Sequence, residues 1–188
     1  MATRPLPSPE VVRQLISYDP ETGKLFWLFR EPEWFKFTDR TSAEVQARIW
    51  NGQFAGQEAF TPINSKGYHT GAILRKMLLA HRVAWAVHYG EWPSGFLDHL
   101  NGVRTDNRIC NLRKSTNGQN MMNRGVLRNN ESGIKGVRLD KRSGRWNARI
   151  TANGNCVSLG YFDTSAEASA AWAEAAKELH GAFANSGA

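Results

Sequence analysis

The 188-residue chain is poor in cysteine, with only Cys110 and Cys156. Two thiols make neither a disulfide framework nor a four-cysteine zinc site, so a reducing, cytoplasmic setting is expected. Long apolar runs are also missing. Nothing approaches eighteen consecutive hydrophobic residues, which excludes a transmembrane helix. The opening MATRPLPSPE carries charge but no apolar h-region, so it does not read as a secretory signal. No heptad announces a coiled-coil dimer. What is present is ordinary for a globular protein: 41% hydrophobic and 22% charged residues. The length allows one large domain or two small ones.

Acid is scarce in one stretch. The formal net charge is +7. Between Arg104 and Arg149 stand twelve Lys or Arg against only Asp106, Glu131 and Asp140, a net +9. The remainder of the chain is −2. A merely solvated surface needs no such bias, so a polyanionic partner is expected.

Pattern and punctuation give the organisation. Residues 10–18 read as a short helix with Val11, Val12, Leu15 and Ile16 on one side. The aromatic run KLFWLF, 24–29, reads as a strand and 41–50 as a helix. Residues 68–73 and 76–79 form a hairpin, and 79–88 a helix closed by Gly90. Residues 96–97 begin a strand that leads into Asp98-His99, and 111–113 form a second. Residues 116–124 read as a helix. Three strand candidates follow at 136–139, 146–151 and 157–162. Thr164 and Glu167 make a capping box for a helix whose apolar stripe is Ala168, Ala171, Trp172, Ala175, Ala176 and Leu179. Alternation in the second of these strands turns Trp146, Ala148 and Ile150 toward that helix. Arg145, Asn147 and Arg149 then share the opposite, basic face.

Two resemblances stand on these residues. Leu79 to Asn123, with Asp98-His99, the Asn101-Gly102 turn, Asp106-Asn107-Arg108, Asn111-Leu112-Arg113 and Thr116 followed by Asn120, resembles the HNH endonuclease family, particularly the freestanding phage and intron type. Ser132 to about Asn185 resembles the APETALA-two / ethylene-response-factor DNA-binding domain. It does so through Gly136-Val137, Gly144-Arg145-Trp146-Asn147-Ala148, Leu159-Gly160-Tyr161-Phe162 and Thr164 to Ala168. The implied fold class is α+β: a ββα-metal (HNH) nuclease core with an N-terminal extension, followed by a small three-stranded antiparallel sheet packed on one helix. The expected divisions are an extension at 1–78 that contacts DNA or supports the core, a nuclease core at 79–126, a linker at 127–131 and a DNA-binding domain at 132–185.

The HNH resemblance implies metal-dependent phosphodiester hydrolysis in double-stranded DNA. Asp98 is then a hard oxygen ligand suited to Mg²⁺, with Mn²⁺ also acceptable, and His99 a neutral base near pH 7. Adjacent strand residues point to opposite faces, so the pair must sit at a strand end or twist. By the family pattern Asn120 supplies the second metal ligand. Asn111 takes the middle position, bracing the loop and orienting the His99 ring. Relatives often have His where this chain has Asn120, which favours a hard ion. Zinc is not expected, because the His and Cys residues form no four-ligand spacing. His81 and His88 read as structural helix residues. Arg104, Arg108, Arg113, Lys114 and Arg124 are expected on backbone phosphates, with Lys135 and Arg142 also in the DNA-binding set. Arg138, Asn147 and Arg149 are expected at base edges, and Lys141 and Arg145 in either role.

The expected function is a homing-type DNA endonuclease whose C-terminal domain aids site choice, acting in a bacterial or phage-infected cell. A regulator with an inactive nuclease core, and a phage restriction or packaging-associated nuclease, are the competing readings. No membrane partner is expected. One site per chain leaves a nicking monomer and a homodimer that cuts both strands both open.

Overall fold

The computed structural model describes residues 5–36, 41–126, 129–152 and 154–185. Leu127 and Arg128, at the start of the expected linker, lie outside the described residues. The chain divides into two compact units, Met1–Arg113 and Lys114–Ala188.

The first unit opens with α1 (Pro9–Leu15), capped by the Ser8 hydroxyl and started by a proline at its first position. Next come β1 (Ile16–Tyr18), β2 (Leu25–Trp27), α2 (Ala43–Phe54) and β3 (Glu58–Ala59). The three strands make one antiparallel sheet in sequence order. The expected helix at 41–50 runs four residues further, through Gly52 to Phe54. Trp50 and Phe54 stack one turn apart, and the Asn51 side chain bonds both backbone groups of Arg30. Those contacts outweigh the helix penalty of about 1 kcal/mol for a glycine.

The hairpin of β4 (Thr70–Ile73) and β5 (Lys76–Leu79) leads straight into α3 (Ala80–Tyr89). This helix is the spine of the unit. Ala80 and Val83 close a core with Val12, Leu15, Ile16, Leu25, Phe60 and Ile73. One helix position further round, Ala84 and Trp85 pack on Leu97 and Leu112. Leu97 belongs to β6 (Phe96–His99) and Leu112 to β7 (Leu112–Ser115), which pair with each other. The N-terminal region and the β6–β7 pair, whose β6 bears Asp98 and His99, thus pack on two sides of one helix.

The second unit holds α4 (Asn117–Met122), whose Thr116 and Gln119 form a capping box. An antiparallel meander follows: β8 (Val137–Asp140), β9 (Arg145–Ala152) and β10 (Asn155–Phe162). Then comes α5 (Ser165–His180), with the expected Thr164–Glu167 capping box. Ala168, Trp172, Ala176 and His180, each four residues apart, are the buried positions of α5. The first three pack on Val137, Ala148 and Ile150. Gly136 is needed here. Its φ is +69°, and a Cβ would collide with the indole nitrogen of Trp172. Among the described residues no helix is long and apolar enough to cross a membrane.

Candidate active site and DNA-binding face

Strand β6 ends on His99, and the two residues Asp98 and His99 are both buried. The strand end resolves the problem of two adjacent side chains serving one site. The Asp98 carboxylate is gripped by Arg113 on β7, whose Nε and Nη2 donate to Oδ2 at 2.9 and 2.7 Å. The imidazole Nε2 of His99 lies 3.2 Å from the side-chain oxygen of Asn107. The His81 ring meets the His99 ring edge-on at 5.1 Å between centroids, and Tyr68 lies against both.

Burial is the dominant electrostatic influence on both histidines. It pushes His81 down to about 3, helped by the neighbouring His99 and Arg82. Burial also lowers His99, against the opposing pull of the Asn107 hydrogen bond and the Asp98 and Asp106 carboxylates. Both rings are therefore neutral near pH 7. That is the state a proton acceptor requires.

The loop after His99 is held from two sides. Asn111 accepts from the Asn101 amide at 3.0 Å and donates to the Asn101 side-chain oxygen and the Asp106 carbonyl, at 3.0 and 2.8 Å. Asp106 in turn takes two hydrogen bonds from Arg108, which hold its carboxyl down at about 2. From the N-terminal region the Tyr18 hydroxyl donates to the Asn107 carbonyl at 2.7 Å. Gly23, with φ +75°, presses so close that a Cβ would meet the Arg108 amide nitrogen at 2.5 Å.

Of the expected site residues, Asp98, His99 and Asn111 share the first unit. Asn111 hydrogen-bonds the loop through Asn101 and Asp106, and the side-chain oxygen beside the His99 Nε2 is that of Asn107. No sequence signal distinguished Asn107 from the neighbouring turn asparagines. Asn120 sits half-buried on α4, in the second unit. Arg113, expected on a phosphate, is committed to Asp98 instead, because a buried carboxylate needs a partner. Arg108 is committed to Asp106. Arg104 donates to the Lys66 carbonyl and covers the Tyr68 ring. Lys114 and Arg124 are exposed.

In the second unit the register places Arg138 and Tyr161 directly opposite Asn147, and Ser158 opposite Arg149. Arg138, Lys141, Arg142, Arg145 and Arg149 are exposed. Arg145 also bonds Asp163 and the Tyr161 carbonyl. Two expectations are corrected. Asn147 is only 1% exposed, and its amide nitrogen bonds the Gly160 carbonyl beside the β10 bulge. It supports the sheet from the central strand and does not reach a base edge. Lys135 is half-buried, its ammonium on the Met122 and Asn185 carbonyls and beside the Trp172 ring. It ties α4 and the chain's C-terminal residues to the sheet unit.

Among the described residues no group of three or more His, Cys, Asp or Glu converges to hold a metal ion. The expected donors belong to different units: the Asp98 carboxylate, held by Arg113, to the first, and the Asn120 amide oxygen, on α4, to the second. Hard oxygen donors in small number fit a divalent cation that keeps part of its water shell.

Residues 78–122 match the HNH endonuclease family model. Protein 3.8 of Escherichia phage T7 is 30% identical over 106 residues, 55% of this chain and 86% of that protein. The chain belongs to the HNH endonuclease family. This HNH protein also matches the AP2 domain model over residues 132–182. Its β6, 3-10 turn (Ile109–Asn111), β7 and α4 run in the ββα order of the HNH region, and β8 to α5 have the AP2 architecture. No solved structure matches it significantly.

Proposed function

We propose that this HNH protein is a metal-dependent endonuclease of the homing type that hydrolyses phosphodiester bonds in duplex DNA. The observation that carries this reading is the buried Asp98–His99 pair inside the matched segment, with the imidazole anchored on Asn107 and the carboxylate on Arg113. His99, neutral at physiological pH, accepts the proton of the attacking water. Asn111 fixes the loop that carries Asn107, and Asn107 fixes the ring. By the family pattern Asp98 and Asn120 would hold Mg²⁺ or Mn²⁺. A bound divalent cation supplies stabilisation of charge on the phosphoryl and leaving oxygens.

The AP2 sheet presents Arg138 and Arg149 to base edges, with Lys141, Arg142 and Arg145 on the flanking backbone. Arg104, Lys114 and Arg124 meet phosphates near the cut. Functionally the chain divides into an extension at 1–78 that supports the core or contacts DNA, a core at 79–126, a linker at 127–131 and a reader at 132–185. It acts in the cytoplasm of a bacterial or phage-infected cell, as a nicking monomer or as a homodimer on a palindrome.

The test is supercoiled plasmid incubated with Mg²⁺, with and without chelator. Nicked or linear product that disappears with chelator is expected. Absence of product on DNA that the protein binds would leave the second reading, a DNA-binding regulator. The grip of Arg113 on Asp98 is the observation that favours it.

A further inference from the structure

The β4–β5 hairpin ends in the two-residue loop Leu74–Arg75, and both residues have positive φ, 49° and 63°. Positive φ at both central residues is the signature of a type I′ turn, which prefers Asn-Gly or Asp-Gly. A leucine is a poor occupant, because its Cβ crowds the following carbonyl in the left-handed region. Core packing does not demand it. Leu74 is 44% exposed and Arg75 is exposed. Strain held at an exposed tip points to side chains kept for contact with a partner.

The register defines the surface. Ile73 and Leu78 face the core, whereas Ala72 and Met77, directly opposite each other, face outward, with Met77 66% exposed. The tip therefore combines the apolar Leu74 and Met77 with a cation. The base of the hairpin is continuous with the active site. Tyr68, two residues before β4, packs on the His99 ring, and His81, two residues after β5, does the same. Arg104 covers Tyr68 at that end. Four residues of strand carry the tip roughly 13 Å from the base, the length of about four base-pair steps.

We propose that this tip is a DNA contact separate from the AP2 face, with Arg75 on a backbone phosphate and Leu74 and Met77 against the minor groove, a few base pairs from the scissile phosphate. The inference rests on the nuclease reading, since it takes duplex DNA at His99 as given. The pairing of an apolar wedge with a cation is the chemistry of minor-groove contact. The tip lies outside the +9 stretch, so the charge count gave no sign of it.

The test replaces the tip with residues the turn prefers, as the double variant Leu74→Asn with Arg75→Gly. The melting temperature should rise, so misfolding cannot mimic the result. Binding to a fluorescein-labelled random duplex in EDTA should weaken about tenfold, with the slope of log affinity against log salt reduced by about one. Wild type and variant binding equally, with equal slopes, would overturn the proposal and leave the nuclease reading standing. Wild type failing to bind any duplex would overturn both. A variant that loses self-association in sedimentation yet keeps full DNA affinity would assign the tip to a second copy of the chain and overturn the DNA contact.

Discussion

The two units treat polar side chains in opposite ways. In the first, Asp98, His99, Asn107, Asn111 and His81 are all buried, and of these all but His81 have hydrogen-bond partners identified above. In the second, the cations Arg138, Arg142 and Arg149 stand in solvent on the meander beside a small apolar core around Trp172, and the buried Asn147 and His180 serve only to bond backbone carbonyls of the sheet. Chemistry on a phosphodiester needs fixed geometry and a low-dielectric setting that tunes the base. Holding a duplex needs only charge that can reach it. The polar groups that matter are thus bonded in one unit and displayed in the other.

Substitutions can separate these two arrangements. The largest effect is expected at His99. His99→Ala should reduce cleavage roughly 10³-fold while duplex affinity stays unchanged, as read by plasmid cleavage and fluorescence anisotropy. Next is the buried ion pair. Arg113→Ala leaves the Asp98 carboxylate buried without its guanidinium, a change that costs about 3 kcal/mol of stability. Arg113→Lys restores charge but not the two-pronged hydrogen bond, so urea melts should show only partial recovery.

The buried imidazoles make stability pH-dependent. His81 has a pKa of about 3 in the fold and an ordinary value when unfolded. The unfolded chain therefore binds more protons below about pH 6.5, so His81's contribution is complete above that pH and is lost as pH falls toward 3. Between pH 7 and 5 the loss should be about 2 kcal/mol. His81→Phe should flatten this slope, and a melt series in pH checks it.

The reader unit should respond more gently. Arg138→Ala and Arg149→Ala should each weaken binding to the preferred sequence by about 1 kcal/mol, relax the sequence preference, and leave the cleavage rate at saturating protein unchanged. A change in that rate would join what the comparison separates.

Much of this was legible in the chain. The capping box of α5, the alternation of β9 and the β4–β5 hairpin all follow from local chemistry, and the structure has them where pattern placed them. Asp98 and His99 stand out in the sequence because several spaced elements around them agree, and the structure buries both at the end of β6. Other features depend on tertiary contact. Leu179 continues the apolar stripe of α5 but is 43% exposed, while His180 turns inward and bonds the Thr151 carbonyl. Helical periodicity alone cannot decide between adjacent positions at a helix end. Asn107 reaches His99 across an eight-residue loop whose path is set by Tyr18 and Gly23, some ninety residues earlier. Arg113 and Lys135 counted as free cations in the charge sum, because a sum cannot see the carboxylate or carbonyls that each one meets.

The most direct test measures cleavage and binding together, on one duplex target, for wild type, His99→Ala and the pair Arg138→Ala with Arg149→Ala. His99→Ala should bind like wild type and not cut, while the arginine pair should bind weakly and cut at the wild-type rate once saturated. Cleavage by His99→Ala at the wild-type rate would contradict the role of His99 as proton acceptor.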